Sequence, residues 1–234
     1  MIWPLPPLKN EFLALSISSN SFACGWLCAS QLPNKQLHLK AYISKQIDSR
    51  ITGNIINKEL KCFTESYNLT HSFMSIALHS PFVHEELIRL SHASPSSNDF
   101  NSQTLKKMYW EYRYLHSLDN GQHLFYVAGI ARELLFTNQL LAYTQNLNLL
   151  CITSGYMSLI AAYKALFGPS FRKSQLAIAL AKSEYNIENC MHNDSLSRLL
   201  HIDPTLNLDL KKEKLSLLTM IGLYYQERDN ECVL

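Results

Sequence analysis

The chain has 234 residues, 47% of them hydrophobic, with 21 Lys+Arg against 19 Asp+Glu and a net charge of +2, enough for one large domain or two small ones around a well-filled core. No basic run exceeds two residues, as at Lys106-Lys107 and Lys211-Lys212, which excludes the electrostatic footprint of a nucleic-acid binder. No window reaches the roughly 18 apolar residues of a membrane-crossing helix, and the opening MIWPLPPLKNEF lacks a basic segment ahead of an apolar stretch, so neither a span nor a secretory signal is expected.

The first elements are strands. FLALSISSNSFACGWL (residues 12–27) holds Leu13 to Ile17, a polar corner at Ser18-Ser19-Asn20, and a return from Phe22 to Ala29. A third strand, Leu37 to Ile43, follows the Pro33-Asn34 turn, and three short strands joined by tight corners make an antiparallel meander. Small-residue turns of this kind hold anions on backbone N–H groups, yet this corner has no Gly, Lys or Asp. Ile55, Ile56, Leu60 and Phe63 fall at helical spacing up to Tyr67, and Phe73 to Leu78 is a strand.

Pro81 is expected to open a second helix with Phe82, Val83, Leu87, Ile88 and Leu90 on its apolar face. Within it, HEEL at His84 to Leu87 is one residue type short of a zinc helix, because position 88 is Ile where a second His is needed, so a solvated polar face is expected. SHASPSSNDFNS, Ser91 to Ser102, is the one low-complexity polar stretch and reads as a mobile loop. Tyr109 to Leu115 and His123 to Gly129 then form a hairpin turned at Asp119-Asn120-Gly121, where Asn and Gly both tolerate positive φ. On the first of these strands Trp110, Tyr112 and Tyr114 share one face and Glu111 and Arg113 the other. That ladder fits a core or a peptide groove better than a base-stacking platform.

Ile130 to Asn146 carries an imperfect helical stripe (Ile130, Leu134, Leu140, Leu141) that Phe136 fits poorly. Leu147 to Thr153 is a strand. Tyr156 to Phe167 is a helix stopped by Gly168-Pro169. Ser174 to Leu180 and Tyr185 to Cys190 read as a strand pair, Ser195 to Leu200 as a short helix, and Leu210 to Tyr225 as a closing helix after the turn-rich HIDPTLN. Strands alternating with helices give an α/β class.

The residues for chemistry are sparse. The six cysteines (Cys24, Cys28, Cys62, Cys151, Cys190, Cys232) are scattered without zinc-like spacing and are expected as buried reduced thiols. His192 and His201, with Asp194 and Asp203 close by, are expected to cap a short helix rather than to bind metal. No Gly-x-Ser-x-Gly elbow occurs, since Thr153-Ser154-Gly155 lacks the first Gly. The first strand, Phe12 to Ser18, has none of the carboxylates that a two-metal nuclease needs.

Element order and phrasing resemble the type IV pilus assembly protein PilM family, with its shortened relative HofM. The phrases are IDSRITGNIINKELKCF, MSIALHSPFVHEELIRL and YVAGIARELLFTNQLLAYTQNLNLLCITSGYMSLIAAYKAL, and the closing LSLLTMIGLYYQE with a Gly near its end. The resemblance implies an actin-like, ribonuclease-H-like fold: a single unit over 1–234, with a first-half core (1–71), an inserted α+β subdomain (72–149), and a return to the core with a truncated second half and closing helix (150–234). ATP-binding members have two phosphate loops with acids and glycines. By resemblance these fall on Leu15 to Asn20, where Ser16 stands in the acid's place, and on Leu176 to Ser183, where acid and Gly are again missing. A vestigial phosphate loop at Ser18, Ser19 and Asn20 is thus implied, with no cofactor expected and ATP the one candidate.

The implied function is a non-catalytic, pseudo-ATPase scaffold of a type IV pilus, secretion or DNA-uptake assembly. It is expected in the cytoplasm, peripheral at the inner membrane, holding the N-terminal peptide of a PilN-like single-span partner beside the insert. The type II secretion protein GspL offers a sibling context. The enzyme alternative is an actin-superfamily ATPase or small kinase with atypical loops.

Overall fold

The computed structural model describes residues 11–29, 36–47, 52–173 and 193–231. Its strands are β1 (Glu11–Ile17), β2 (Ser21–Ala29), β3 (Leu37–Gln46), β4 (Phe73–Leu78), β5 (Val83–Leu90), β6 (Tyr109–Ser117), β7 (His123–Ile130), β8 (Asn148–Ser154) and β9 (Leu200–Ile202). Its helices are α1 (Thr52–Ser66), α2 (Arg132–Thr144), α3 (Gly155–Phe167), α4 (Asn193–Leu199) and α5 (Leu210–Glu231).

The central sheet runs β8-β4-β1-β2-β3-β9. β1 is its pivot, antiparallel to β2 and parallel to β4, which is in turn parallel to β8. Every residue of β1 after Glu11 is buried, the pattern of a strand covered on both faces. Phe12 stacks on Tyr224 of α5 at 5.7 Å, so the even positions of β1 face α3 and α5. Leu13, Leu15 and Ile17 face the other layer, where Trp26, the partner of Leu13, packs on Tyr67 just after α1. A Cβ on Gly222 would collide with the Ser158 carbonyl, so this glycine lets α5 lie backbone to backbone on α3.

Between β4 and α2 the chain leaves to build a second, antiparallel sheet, β5-β7-β6. Its outer face buries Ile88, Phe125 and Val127 under Phe100 and Leu105 of the excursion that joins β5 to β6. The polar stretch from Ser91 is therefore fastened rather than loose. Asp99 accepts from Ser96 N at 2.7 Å and Ser96 Oγ at 2.8 Å, Glu86 accepts from Asn101 N at 2.9 Å, and the Phe100 ring meets Trp110 edge-on at 4.7 Å.

The structure corrects several expectations. The helix expected from Pro81 is strand β5, paired with β7 from Val83 opposite Ile130 to Leu90 opposite His123. Tertiary pairing overrides a spacing that also fits a helix. Of the segment 72–149, Phe73–Leu78 and the start of β8 lie in the central sheet, so the inserted sheet spans only β5 to β7. At the hairpin only Gly121 has positive φ (79°); Asn120 does not share it. Leu200 leaves the short helix and starts β9, which no sequence pattern announced. Cys24 and Cys28 are buried free thiols, each pushed up to about 12 chiefly by burial, but Cys62 is exposed on α1. The strand pair expected at 174–190, together with Cys190, His192 and Cys232, lies outside the described residues. Asp203 caps a turn rather than a helix, accepting from Thr205 N at 2.9 Å and Thr205 Oγ1 at 2.7 Å.

Candidate functional site

In open α/β sheets, ligands bind beyond the carboxyl ends of the parallel strands. Here β1, β4 and β8 end together, and two different surfaces flank that end, one on the α3/α5 side and one on the α1/α2 side.

The α3/α5 side is polar. Ser16, in the place of the acid, is buried with its Oγ 3.0 Å from His79 Nε2. His79 follows β4, and its ring fills the space where Gly155, the first residue of α3, has no side chain; a Cβ there would strike the imidazole. Burial holds His79 down to about 4, so the ring is neutral near pH 7. Among the described residues no carboxylate touches its other nitrogen.

Two carboxylates enter from the inserted sheet. Glu85 and Glu111 both pair with Ala128 on the strand between them, which puts them in one row aimed at the end of β8. Glu85 accepts from Ser154 Oγ at 3.0 Å, and burial pushes its carboxyl up to about 7. Glu111 accepts from Thr153 Oγ1 and from Ser154 N at 3.4 Å, and burial raises it too, against the lowering pull of Thr153 and Arg113. Gln226 of α5 closes the network, donating to Thr153 Oγ1 at 3.0 Å. Chemically this is a hydrogen-bonded interlock between insert and core.

The Ser18-Ser19-Asn20 corner lies at the end of β1, as expected, but its polar groups are turned on one another. Ser18 N donates to Ser21 O at 2.9 Å, Ser18 Oγ lies 2.7 Å from Ser21 Oγ and 3.2 Å from Asn20 Oδ1, and Asn20 O accepts from Ile47 N at 2.7 Å. The second expected phosphate corner, 176–183, lies outside the described residues.

The α1/α2 side is open and apolar. A groove of about 370 Å³ runs between α1 and α2, lined by Ile17, Ile56, Leu78, Phe82, Leu134 and Leu141, with neutral polar neighbours that include Asn54, Asn57, Thr137 and Thr144. The helix α2 packs Leu134, Leu135 and Leu141 against the core and carries a second apolar stripe on its outer side. Its buried residues are Asn138 and Ala142, while Phe136 (67% exposed), Leu140 (50%) and Tyr143 (78%) project outward at spacings of four and three. Asn138 tolerates burial because its Nδ2 donates to Leu134 O at 2.8 Å. Leu140 belongs to both features, so groove and stripe form one surface. Phe136, the misfit of the sequence stripe, was the signal for it. His79, Glu85 and the carboxyl role of Glu111 gave none, since polar residues facing inward from a strand look like solvent-facing ones until the sheet is placed.

The Trp110, Tyr112, Tyr114 ladder faces outward, with Tyr112 and Tyr114 40% and 43% exposed, while its partner face carries Glu111 inward. Among the described residues no group of three metal-ligating side chains occurs, and no helix is long and apolar enough to cross a membrane.

No family model and no curated protein matches the sequence. Solved structures do match in shape. The chain is similar to one in the "PilM-PilN type IV pilus biogenesis complex", at 14% identity and a TM-score of 0.51, over 68% of this chain and 52% of that one. It also matches the cytoplasmic domain of EpsL, an inner membrane component of the type II secretion system of Vibrio cholerae (13% identity, 64% and 57% of the two chains, TM-score 0.40). A third is a Bacteroides thetaiotaomicron protein with actin-like ATPase fold and unknown function (16%, 68% and 58%, TM-score 0.39). The chain spans about half the length of the PilM-PilN structure's matched chain. The fold is actin-like α/β, with a central mixed sheet and an inserted antiparallel one.

Proposed function

We propose that this protein is a non-catalytic scaffold of a type IV pilus or related secretion assembly, which captures the N-terminal peptide of a PilN-like single-span inner-membrane protein in the groove between α1 and α2. One observation carries the reading: α2 buries Asn138 and Ala142 and leaves Phe136, Leu140 and Tyr143 in water beside an apolar groove. A helix gains by burying apolar surface, and beyond Leu134, Leu135 and Leu141, which pack on the core, α2 carries this second apolar stripe whose burial is left to a partner. Phe82 in the groove directly precedes β5, an edge strand of the inserted sheet, so a peptide seated there has backbone groups within reach as well as apolar pockets. The shape likeness to the PilM-PilN complex supports the choice of partner class. The working location is the cytoplasmic face of the inner membrane, held through that partner.

Against an ATPase or small kinase, phosphate transfer needs a carboxylate-held metal and open donors at the strand ends. At those ends Ser16 is bonded to His79, the Ser18 corner is bonded to itself, and both inserted carboxylates are engaged by Thr153 and Ser154.

The test is amide NMR mapping on the full chain. Partner peptide is expected to shift Thr137, Leu140 and Asn57 resonances saturably, while millimolar Mg-ATP leaves Ser16, Ser18 and Asn20 unmoved. Saturable shifts at the Ser18 corner with Mg-ATP would overturn the non-catalytic reading, and peptide shifts elsewhere would overturn the groove.

A further inference from the structure

The far edge of the central sheet brings together two imidazoles that the sequence keeps 163 positions apart, by subtraction of their numbers. β9 is three residues long and pairs in parallel with β3, with Leu37 opposite Leu200, His38 opposite His201 and Leu39 opposite Ile202. Directly paired residues share one face of the sheet, so the two rings are neighbours, their centroids 4.9 Å apart and their planes at 53°. His201 is exposed and His38 half-buried. Neither imidazole has a hydrogen-bond partner among the described residues.

Two adjacent imidazoles without other partners have one chemistry in common: each neutral ring offers a lone pair to a borderline metal ion. Burial, the neighbouring His201 and Lys40 all hold His38 below the ordinary imidazole range. The charges around the pair are Lys40, two residues along β3 on the same face, which opposes a cation, and Asp203, just past β9, whose field reaches His201 and favours one. Asp203 is occupied by Thr205, so among the described residues the pair is the ligand set, with water for the rest of the shell.

We propose that His38 and His201 form a two-imidazole site for a divalent transition ion of the zinc, nickel and copper class, and that the bound ion staples β9 to β3. β9 is short and lies at the sheet edge, so a bond across the pair holds the strand where few ladder hydrogen bonds do. The proposal is independent of the peptide groove, which lies beyond Ile17 at the other end of the fold's parallel strands.

The experiment is a calorimetric zinc titration of the full chain at pH 7.5, repeated on His38→Ala and His201→Ala, with His38→Gln as a variant that keeps the side chain's bulk. Expected are saturable micromolar binding, at least about tenfold weakening in each variant, weaker binding as pH falls and protons compete with the ion, and a zinc-induced rise in melting temperature in the wild type alone. Histidine ring NMR assigns the effect to His38 and His201, separating it from zinc on the exposed Cys62 thiol. No saturation at millimolar zinc, or isotherms and melting shifts that the variants leave unchanged, would overturn it.

Discussion

Ser16 and His79 meet at the ends of two parallel strands, with Ser16 Oγ 3.0 Å from His79 Nε2 and the imidazole seated over Gly155. In an actin-like fold this is where phosphate chemistry requires charge and open space. The residues present supply a neutral hydrogen bond and a filled cavity instead. The same end of the sheet is apolar and open on its other face.

His79 makes the fold acid-sensitive. Its folded-state pKa is about 4 against 6.5 for an ordinary imidazole. The unfolded chain therefore takes up the proton first, and the stability from keeping the ring neutral is present above 6.5 and lost as pH falls toward 4, by up to about 3 kcal/mol. Urea denaturation at pH 7.5 and pH 5 is expected to show a smaller loss in His79→Gln than in the wild type.

Glu85 acts with the opposite sign. Its folded-state pKa is about 7 against 4.5, so the protonated form is favoured by folding. That contribution is complete below 4.5 and is lost as pH rises through 7. Glu85→Gln, which keeps a neutral group against Ser154, is expected to exceed the wild type in stability at pH 8 by on the order of 2 kcal/mol, after discounting for partial exposure. The gap should close by pH 5. A gap that does not depend on pH would mean that the carboxyl is ionised in the fold.

Gly222→Ala tests the seam between α3 and α5. The added methyl meets the Ser158 carbonyl, part of a helix backbone that cannot rotate away. The helices must separate, and a loss of about 1–3 kcal/mol or more is expected from chemical denaturation. Gly53→Ala, with open space around its Cβ, is the control and should not destabilise.

Phe136→Ser and Tyr143→Ser separate folding from binding. Both side chains are more than half exposed, so thermal stability should stay within about 0.5 kcal/mol of the wild type. Affinity for the partner peptide should fall at least tenfold in each. A large loss of stability would show that the stripe is already buried in the free protein.

Much of the architecture was readable because buried strands and terminated helices leave periodic traces: Phe73 to Leu78 and the Gly168 stop are where the residues put them. β5 was misread because V-H-E-E-L-I-R-L satisfies both periods, and only pairing with β7 decides between them. β9 is too short to leave a pattern. That Ser16 meets His79 was not legible, since the contact joins residues from different strands. The groove was legible only as a defect, in the failure of Phe136 to fit a helical stripe, because an exposed apolar stripe looks like a mistake in an amphipathic pattern.

The most direct measurement is the affinity of a fluorescently labelled N-terminal peptide of the single-span partner, by anisotropy, for the wild type and for Leu140→Asp. Leu140 is half exposed and lines the groove, so the aspartate leaves the fold intact while placing a charge in the apolar channel. The account predicts saturable binding by the wild type and none by the variant at matched concentration. Equal binding by both, or no saturation by the wild type at millimolar protein, would contradict it.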